Sequence, residues 1–246
     1  MLAPDISVVI LCYRAEDFVP VFVSEMKTAL EKHGVRYELV LVANYHPHAQ
    51  PADRTPEIVT ALAREDPTIT VVARPKEGMM GWDMRSGLAA ARGRTVAVID
   101  GDGQMPPGDV VAVYDHLRSG GFDMVKTYRT RRGDGALRVV VSHVYNGALT
   151  LLFPSVRVRD ANSKPKIFTH EALSRLSLGA NNWFLDAEIV IQASRLGLRI
   201  GEVPTVFLQN PRRASFINVR AIVRFALDLL TYRLKTLWSR GRPSGS

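Results

Sequence analysis

The stretch Thr95-Val-Ala-Val-Ile-Asp100-Gly-Asp-Gly-Gln104 joins a short apolar run to an acidic turn that contains glycine. A continuous run of β-branched and other apolar residues is typical of a strand that is buried on both faces. Asp and Gly directly after such a run favour a tight turn. The stretch therefore predicts a buried strand that ends in two carboxylates, at the edge where open α/β sheets bind their ligands.

Strand and helix patterns alternate around this stretch in the first half of the chain. The predicted strands cover residues 6–12, 37–43, 69–73, 95–100 and 122–128, and the predicted helices cover residues 16–33, 56–64, 80–92 and 107–117. This alternation predicts an α/β fold with a mostly parallel, Rossmann-like central sheet, because parallel strands need crossover connections, which are usually helices.

The second half has a less regular pattern. Residues 129–138 are basic and contain glycine, which predicts a mobile loop. Beyond them, helices are predicted at residues 139–153, 171–176, 185–196 and 215–238, and extended segments at residues 164–168 and 199–208. The predicted organisation is one main domain over residues 1–210, an amphipathic helical extension over residues 211–238 and a disordered tail over residues 239–246.

Asp100 and Asp102 are candidate metal ligands. Two carboxylates that lie two residues apart at the end of a strand can face one divalent cation, and their oxygens suit Mg²⁺ or Mn²⁺. Such an ion would bridge the diphosphate of a nucleotide-sugar and stabilise the charge that develops on the leaving group. A simple Asp/Gly turn is the alternative. The lack of a suitably spaced Glu excludes a calcium loop, and the lack of Gly-Lys-Ser/Thr excludes a P-loop.

The segment Val98-Ile-Asp-Gly-Asp-Gly-Gln-Met-Pro-Pro107 resembles the metal-binding segment of family 2 glycosyltransferases with the GT-A fold. It is most similar to the branch that contains the dolichol-phosphate mannose and glucose synthases. Two later segments, Asp160-Ala-Asn-Ser-Lys-Pro-Lys-Ile-Phe168 and Trp183-Phe-Leu-Asp-Ala-Glu188, resemble further segments of that family in the same order. The resemblance covers roughly residues 5–230.

This resemblance implies that residues 1–210 form a GT-A catalytic domain that uses Mg²⁺ or Mn²⁺, a nucleotide-sugar donor and a polyprenyl phosphate acceptor. The implied metal ligands are Asp100, Asp102 and Gln104, and the implied catalytic residues are Asp186, Arg129 and Glu188. The implied substrate contacts are Tyr13, Arg14, Asn44, Asp100, Lys166, Arg212 and Arg213. Basic side chains there would bring a phosphate acceptor and a diphosphate together against their mutual repulsion.

Three segments depart from the family pattern. The opening loop, Leu11-Cys-Tyr-Arg-Ala15, retains only the tyrosine of Pro-Thr-Tyr-Asn-Glu, and Asn44 stands where the family has an aspartate after the second strand. Lys164-Pro-Lys166 stands where Gly-Phe-Lys is usual. The first two segments normally contact the base and ribose of the nucleotide, so the sequence leaves the base and the sugar of the donor open.

Two classes of acceptor also stay open. A polyprenyl phosphate is already anionic near neutral pH, so its oxygen can attack the anomeric carbon in line, with inversion, without a strong base. A soluble hydroxyl acceptor, in glycan or natural-product assembly, requires a general base, for which Asp186 is the candidate. The alternative role of Asp186 is to stabilise the N-terminus of the helix at residues 185–196. The alternative for Glu188 is a solvated position on that helix.

The chain of 246 residues carries a formal charge of +8, which predicts an anionic partner. A polyanion-binding protein without catalysis is the alternative from another class, but the sequence contains no nucleic-acid-binding motif, which predicts no nucleic-acid partner.

The helix at residues 215–238 has a narrow polar stripe. It packs on the domain or on a second copy of the chain, or it lies on a membrane surface. One cysteine and no long apolar run predict a cytoplasmic enzyme, peripheral at the cytoplasmic membrane face.

Overall fold

The computed structural model describes residues 3–48, 52–132, 136–208 and 219–240. In these ranges the elements are β1 (Ile6–Leu11), α1 (Phe18–His33), β2 (Tyr37–Val42), α2 (Thr55–Glu65), β3 (Ile69–Val72), α3 (Met80–Leu88), β4 (Thr95–Asp100), α4 (Gly108–Gly120), β5 (Met124–Arg132), α5 (Ala136–Leu152), β6 (Lys166–Thr169), α6 (His170–Ser174), α7 (Leu185–Arg195), β7 (Ile200–Phe207) and α8 (Val219–Arg240). The alternation predicted for the first half is confirmed, with small differences at the ends of the elements.

One sheet contains the seven strands of these ranges, in the order β3-β2-β1-β4-β6-β5-β7. The pairs β3–β2, β2–β1, β1–β4 and β5–β7 are parallel, and β6 is antiparallel to both of its neighbours, β4 and β5. The predicted mostly parallel sheet is therefore confirmed. In the register of β1 and β4, Leu11 lies beside Asp100, so both strands end at the same edge.

Helices cover both faces of the sheet. In β1, Ile6 and Ile10 pack with residues of α1 and α4, whereas Val9 and Leu11 pack with residues of α3 and α7. Successive residues of a strand point to opposite faces, so a strand that is covered twice needs an apolar side chain at every position. This explains why the run Val96-Ala-Val-Ile99 has no polar residue between its apolar ones.

The prediction of a mobile loop over residues 129–138 is wrong for the first part of that range. β5 continues to Arg132 because its last residues pair with β7: Arg129 lies beside Thr205, and Thr130 Oγ1 donates to the Thr205 carbonyl oxygen at 3.0 Å. α5 already begins at Ala136. Residues 133–135, in the middle of the predicted loop, lie outside the described residues.

α8 packs one of its faces against the rest of the chain. Leu229 is buried, the Tyr232 ring lies 5.1 Å from the Phe184 ring, and Asn182 Nδ2 donates to Asp228 Oδ2 at 2.8 Å. No helix within the described ranges is both long and apolar enough to cross a membrane. Residues 215–218 and 241–246 of the predicted helix and tail lie outside those ranges. The division into domain, extension and tail stays a prediction.

A buried carboxylate joins β1, β2 and the end of α3. Glu38 Oε1 accepts from Ser7 Oγ and from the Arg92 backbone N–H, both at 2.6 Å, and Oε2 accepts from the Arg92 guanidinium at 2.8 and 3.0 Å. α3 ends at Leu88, and Arg92, the last residue of the predicted helix, donates its backbone N–H to Glu38 instead of to a helix carbonyl. Burial raises the pKa of Glu38, but the bonds from Ser7 and Arg92 outweigh burial and hold the pKa below its ordinary value.

Glu38→Gln should therefore lower the stability of the fold. At pH 7 we expect a loss of about 1–3 kcal/mol, because a charge-assisted bond to Arg92 is removed. The ionised Glu38 stabilises the native state above its unfolded pKa of about 4.3, and this stabilisation is lost as the pH falls through its lower folded pKa. The difference between wild type and variant in urea unfolding should therefore shrink below pH 4. Glu25→Gln, at an exposed position of α1, should change little at either pH.

Candidate active site

The carboxyl ends of the parallel strands place the acidic turn next to the loop after β1. Asp100 ends β4 beside Leu11, and the Gly101 backbone N–H donates to the Leu11 carbonyl oxygen at 2.9 Å. β6 runs in the opposite direction, so the residues just before it lie at the same edge. Lys166 is the first residue of β6, two residues after the predicted start, and Lys164 precedes the strand.

The acidic turn after β4 has a fixed shape. Asp102 Oδ1 accepts from the Gln104 backbone N–H at 3.1 Å, and the Gln104 carbonyl oxygen accepts from the Leu208 N–H at 2.9 Å. Gly103 has a φ of 70°, and a Cβ there would lie 2.3 Å from Phe18 Cζ, so the position requires glycine. The backbone of the turn therefore orients the carboxylates that it carries.

The donor set of the turn fits a divalent metal that takes its other ligands from a substrate. In the ranges that the structure describes, no group of three or more His, Cys, Asp or Glu side chains is placed to hold a metal ion. Asp100 and Asp102 offer carboxylate oxygens, and the Asp100 side chain is 28% exposed. Mg²⁺ is commonly bound by one or two carboxylates together with waters and substrate phosphates. The predicted contact of the Gln104 side chain with the metal stays a prediction.

Lys164 and Lys166 surround Asp186, which lies in the first turn of α7. Lys164 Nζ is 3.3 Å from Asp186 Oδ2 and also 3.3 Å from Asp100 Oδ2. Lys166 Nζ donates to Asp186 Oδ1 and, at 2.9 Å, to the Ser163 carbonyl oxygen. The side chains of both lysines and of Asp186 are at most 5% exposed. The fold thus brings Asp100, Asp186 and Lys166 together, with Lys164 between the two carboxylates.

The charges of this cluster stabilise one another. Burial raises the pKa of Asp186, but Lys164 and Lys166 outweigh burial and hold that pKa below its ordinary value. Burial lowers the pKa of Lys164, but Asp100 and Asp186 outweigh it and hold that pKa above its ordinary value. For Lys166, burial together with the neighbouring lysines outweighs Asp186 and lowers the pKa to about 8. Asp186 and Lys164 are therefore charged at neutral pH.

Arg129 and Lys126 extend the cluster along β5. Arg129 forms a bidentate pair with Asp160, with Nε–Oδ2 at 2.6 Å and Nη2–Oδ1 at 2.9 Å, and its side chain is 13% exposed. Lys126 is fully buried, lies 3.5 Å from Glu202 and donates to the carbonyl oxygens of Thr127 and Asp160. Arg129, one of the implied catalytic residues, is therefore held in place by an acidic partner.

Glu188 faces the loop before α7. Its Oε2 accepts from the backbone N–H groups of Gly179 at 3.0 Å and Ala180 at 2.8 Å, and its Oε1 accepts from Gln192 at 3.3 Å. The residue is 5% exposed, so the alternative of a solvated Glu188 is wrong. The backbone donors of the loop supply the partners that its buried carboxylate needs. Its catalytic role stays a prediction.

Tyr13 and Arg14 lie in the loop after β1, at the same edge of the sheet as the acidic turn. Lys76 Nζ lies 4.0 Å from the centroid of the Tyr13 ring. Arg14 is exposed and has a φ of 53°, and its backbone N–H donates to Asp53 Oδ2 at 3.3 Å. Positive φ is uncommon outside glycine and persists where the surroundings hold it. The loop therefore presents an aromatic ring and an exposed guanidinium.

Asn44 is fully buried, and its amide is hydrogen-bonded on both sides. Its Nδ2 donates to Asp83 Oδ1 at 3.0 Å and to Ser86 Oγ at 2.9 Å, and its Oδ1 accepts from the Arg74 N–H at 3.0 Å. Asp83 also forms a buried ion pair with Lys76. Burial raises the pKa of Asp83, against the smaller effects of Lys76 and Asn44. The amide holds the loop after β2 against α3, and its predicted contact with a nucleotide stays a prediction.

The predicted site residues do not include Lys164 or Lys126. Lys126 has a signal in the sequence, because it interrupts the apolar pattern of the strand at residues 122–128 and a lysine there needs a buried partner. The signal for Lys164 is its departure from the glycine of the family segment. The predicted contacts Arg212 and Arg213 lie outside the described residues.

The family profile described as "Glycosyl transferase family 2" matches residues 7–178. The chain belongs to glycosyl transferase family 2. The matched range includes the acidic turn, Arg129 and the segment with Lys164 and Lys166. The resemblance found in the sequence is thereby confirmed.

Three curated relatives of this family 2 chain are similar over most of its length. Glycosyltransferase AglD of Haloferax volcanii is 31% identical over an alignment of 192 residues that covers 76% of this chain and 30% of that protein. Dolichyl-phosphate beta-glucosyltransferase ALG5A of Trichomonas vaginalis is 25% identical, over 92% of this chain and 72% of that protein. Dodecaprenyl-phosphate galacturonate synthase of Rhizobium johnstonii is 26% identical, over 92% of this chain and 66% of that protein. The chain thus spans between 30% and 72% of the length of these relatives.

A solved structure supports the fold. Glucosyl-3-phosphoglycerate synthase from Mycobacterium tuberculosis, in complex with Mn²⁺, UDP and glucosyl-3-phosphoglycerate, matches with a TM-score of 0.72 and 23% identity, over 94% of this chain and 80% of that chain. At this level of identity the likeness establishes the fold. The predicted GT-A fold is confirmed.

Asp186→Asn should strongly destabilise the native state, because it leaves two buried ammonium groups with one counter-charge fewer. We expect a loss of about 3–5 kcal/mol in the free energy of unfolding, measured by urea denaturation at pH 7. Asp115→Asn removes a carboxylate that is 57% exposed and pairs with His33 on the surface, and it should cost less than about 1 kcal/mol. Equal losses in the two variants would contradict the assignment of Asp186 as the counter-ion of the cluster.

Proposed function

We propose that this chain transfers a sugar, with inversion, from a nucleotide-sugar to a polyprenyl phosphate. The observation that carries the proposal is the pairing of Asp186 with Lys164 and Lys166 beside the acidic turn. A carboxylate whose ionised form is stabilised by two ammonium groups is a weak general base. The site therefore suits an acceptor that is already anionic better than a hydroxyl, which has to lose a proton. The printed names of two relatives, a dolichyl-phosphate and a dodecaprenyl-phosphate enzyme, support the same class of acceptor.

The acceptor needs positive charge more than it needs a base. A phosphate monoester has its second pKa near 6, so its oxygens are anionic at neutral pH. One of them attacks the anomeric carbon as the bond from that carbon to the nucleoside diphosphate breaks on the opposite face. Arg129, with a side chain that is 13% exposed, and Lys164 offset the repulsion between the acceptor phosphate and the diphosphate.

Asp100 and Asp102 would hold Mg²⁺ or Mn²⁺, with Gln104 beside them. When bound, such an ion supplies positive charge to the departing diphosphate. The hydrogen bond from the Gln104 backbone N–H orients Asp102 before any ligand binds. Asp100 is the more exposed of the two carboxylates, so its solvent-facing side is open to an incoming ligand.

The nucleotide end of the donor is assigned to the loop after β1. The Tyr13 ring and the exposed Arg14 guanidinium there suit a base and its phosphates, respectively. Asn44 acts behind this loop, through the position of α3, since its amide already has three partners.

In this proposal the outer face of α8 binds the cytoplasmic surface of the membrane that contains the acceptor. Leu227, Leu230 and Leu234 are 57%, 48% and 66% exposed, opposite the face that packs on the chain. Arg224 and Lys235 are also exposed on this helix. An apolar stripe flanked by basic residues is typical of helices that lie on anionic lipid.

A transfer assay tests the proposed reaction. The purified chain, Mn²⁺, polyprenyl phosphate and radiolabelled nucleotide-sugars should give label in the organic phase. Asp102→Asn should reduce the rate by at least about 100-fold, because charge stabilisation of the leaving group is worth several kcal/mol. The surface variant Asp115→Asn should retain the rate. Label found only in water-soluble products would contradict the polyprenyl acceptor.

Vesicle flotation tests the surface of α8. The double variant Leu230→Ser/Leu234→Ser should bind vesicles with anionic headgroups at least about tenfold less than wild type, because two exposed apolar side chains are removed. Val21→Ser/Leu196→Ser, which removes two exposed apolar side chains elsewhere, should bind like wild type. If the first variant instead converts a dimer to a monomer in light scattering, with vesicle binding unchanged, α8 contacts a second copy of the chain.

A further inference from the structure

Lys164 forms an ion pair with Asp100, one of the predicted metal ligands. Its ammonium lies 3.3 Å from Asp100 Oδ2, and its side chain is 5% exposed where that of Asp100 is 28% exposed. The ammonium therefore lies on the inner side of the carboxylate, and the outer side stays open to solvent. Lys164 is the cation that the described part of the chain places within ion-pair distance of Asp100.

The backbone on either side of Lys164 is attached to β5. Thr127 Oγ1 donates to the Lys164 carbonyl oxygen at 2.6 Å, and the Thr127 backbone N–H donates to the Pro165 carbonyl oxygen at 3.1 Å. The same Thr127 hydroxyl lies 2.8 Å from Ser163 Oγ. Thr127 is itself fully buried. The segment is therefore fixed, and the ammonium stays beside Asp100.

Asp186 does not depend on Lys164 for a counter-charge. Lys166 binds its other carboxylate oxygen, so Asp186 keeps one cation when the charge of Lys164 is removed. Asp100 would then lose the ion pair with Lys164. Removal of the Lys164 charge would thus leave Asp186 paired with Lys166, whereas Asp100 would have no ion pair with a buried ammonium.

We propose that Lys164 makes divalent metal binding at Asp100 dependent on the diphosphate of the donor; the inference rests on the proposed function, in which that diphosphate binds beside Asp100. A divalent ion and the ammonium would share one carboxylate and repel each other, with little screening because the ammonium is buried. A diphosphate brings the negative charge that offsets this repulsion. Metal and diphosphate binding are therefore coupled, and each raises the affinity for the other.

Titration of Mn²⁺ alone into the full chain, with free Mn²⁺ measured by electron paramagnetic resonance, tests the role of Lys164. Lys164→Met keeps the length of the side chain without its charge and should lower the Kd for Mn²⁺ by at least about tenfold. Lys27→Met is the matched control, because it removes the same charge from the ion pair between Lys27 of α1 and Asp66, which follows α2. Its Kd for Mn²⁺ should equal that of wild type. An unchanged Kd in Lys164→Met, or an equal gain in Lys27→Met, overturns the inference.

A second substitution tests whether the gain in Mn²⁺ affinity depends on Asp100. Asp100→Asn in the Lys164→Met background should return the Kd for Mn²⁺ to the wild-type value or above it. A gain that persists without the Asp100 carboxylate overturns the inference. If circular dichroism shows that Lys164→Met is not folded, Lys164→Gln takes its place in both titrations, because it keeps a hydrogen-bond donor without the charge.

Thermal unfolding with inorganic pyrophosphate tests the coupling itself. For wild type, Mn²⁺ and pyrophosphate together should raise the Tm by more than the sum of their separate shifts, and for Lys164→Met the shifts should be closer to additive. Equal additivity in both proteins overturns the inference. Neither experiment contains a sugar donor or an acceptor. If no sugar transfer is detected but the titrations and Tm shifts come out as expected, only the proposed reaction is contradicted. If transfer is detected but the titrations or Tm shifts differ from expectation, only the role of Lys164 is contradicted.

Discussion

β6 runs opposite to β4 and β5, between which it lies, and it therefore starts at the edge where they end. This reversal delivers Lys164 to the carboxylate that ends β4, and it sets Lys166 beside Lys126 of β5. A parallel strand in the same place would start at the far edge of the sheet and leave Asp100 without this cation. The position of the positive charges at the acidic turn is thus a consequence of the sheet topology.

Burial of these charges links stability to chemistry. Moving an ion out of water costs several kcal/mol even after the protein relaxes, so Lys126, Lys164 and Lys166 need the carboxylates and carbonyl oxygens around them. Asp186 is both a counter-ion of the cluster and the candidate base of a hydroxyl acceptor. A loss of activity in a variant of Asp186 therefore does not assign it a role as a base, because the same change disturbs the ion pairs that hold the edge together. In the proposed reaction this conflict does not arise, because a phosphate acceptor would let Asp186 stay paired throughout.

The parts of the fold that follow from local pattern could be predicted, and the parts that follow from long-range pairing could not. The apolar run before Asp100 predicts a doubly covered strand, and the two carboxylates after it predict the position of the acidic turn at the ligand-binding edge. The strand at Arg129 to Arg132 has no apolar pattern and exists because it pairs with β7. Lys164 meets Asp100 across 64 residues of sequence, through the reversed direction of β6, which no local pattern indicates. Glu188 likewise gains two of its three partners, the N–H groups of Gly179 and Ala180, from a loop and only Gln192 from its own helix.

The departure from the family pattern at Asn44 has a physical reason in its neighbour. The Asn44 Nδ2 donates to Asp83 Oδ1 at 3.0 Å, and Asp83 is buried and already paired with Lys76. An aspartate at position 44 would set a second carboxylate against Asp83 at hydrogen-bond distance, and two such groups cannot both stay ionised without a large rise in one pKa. The amide removes that repulsion and supplies the donor that Asp83 needs. Asn44 and Asp83 therefore form a matched pair, in which the polar group at the end of β2 serves the packing of α3. In the proposed function, recognition of the donor nucleotide is therefore assigned to Tyr13 and Arg14, in the loop after β1 at the same edge.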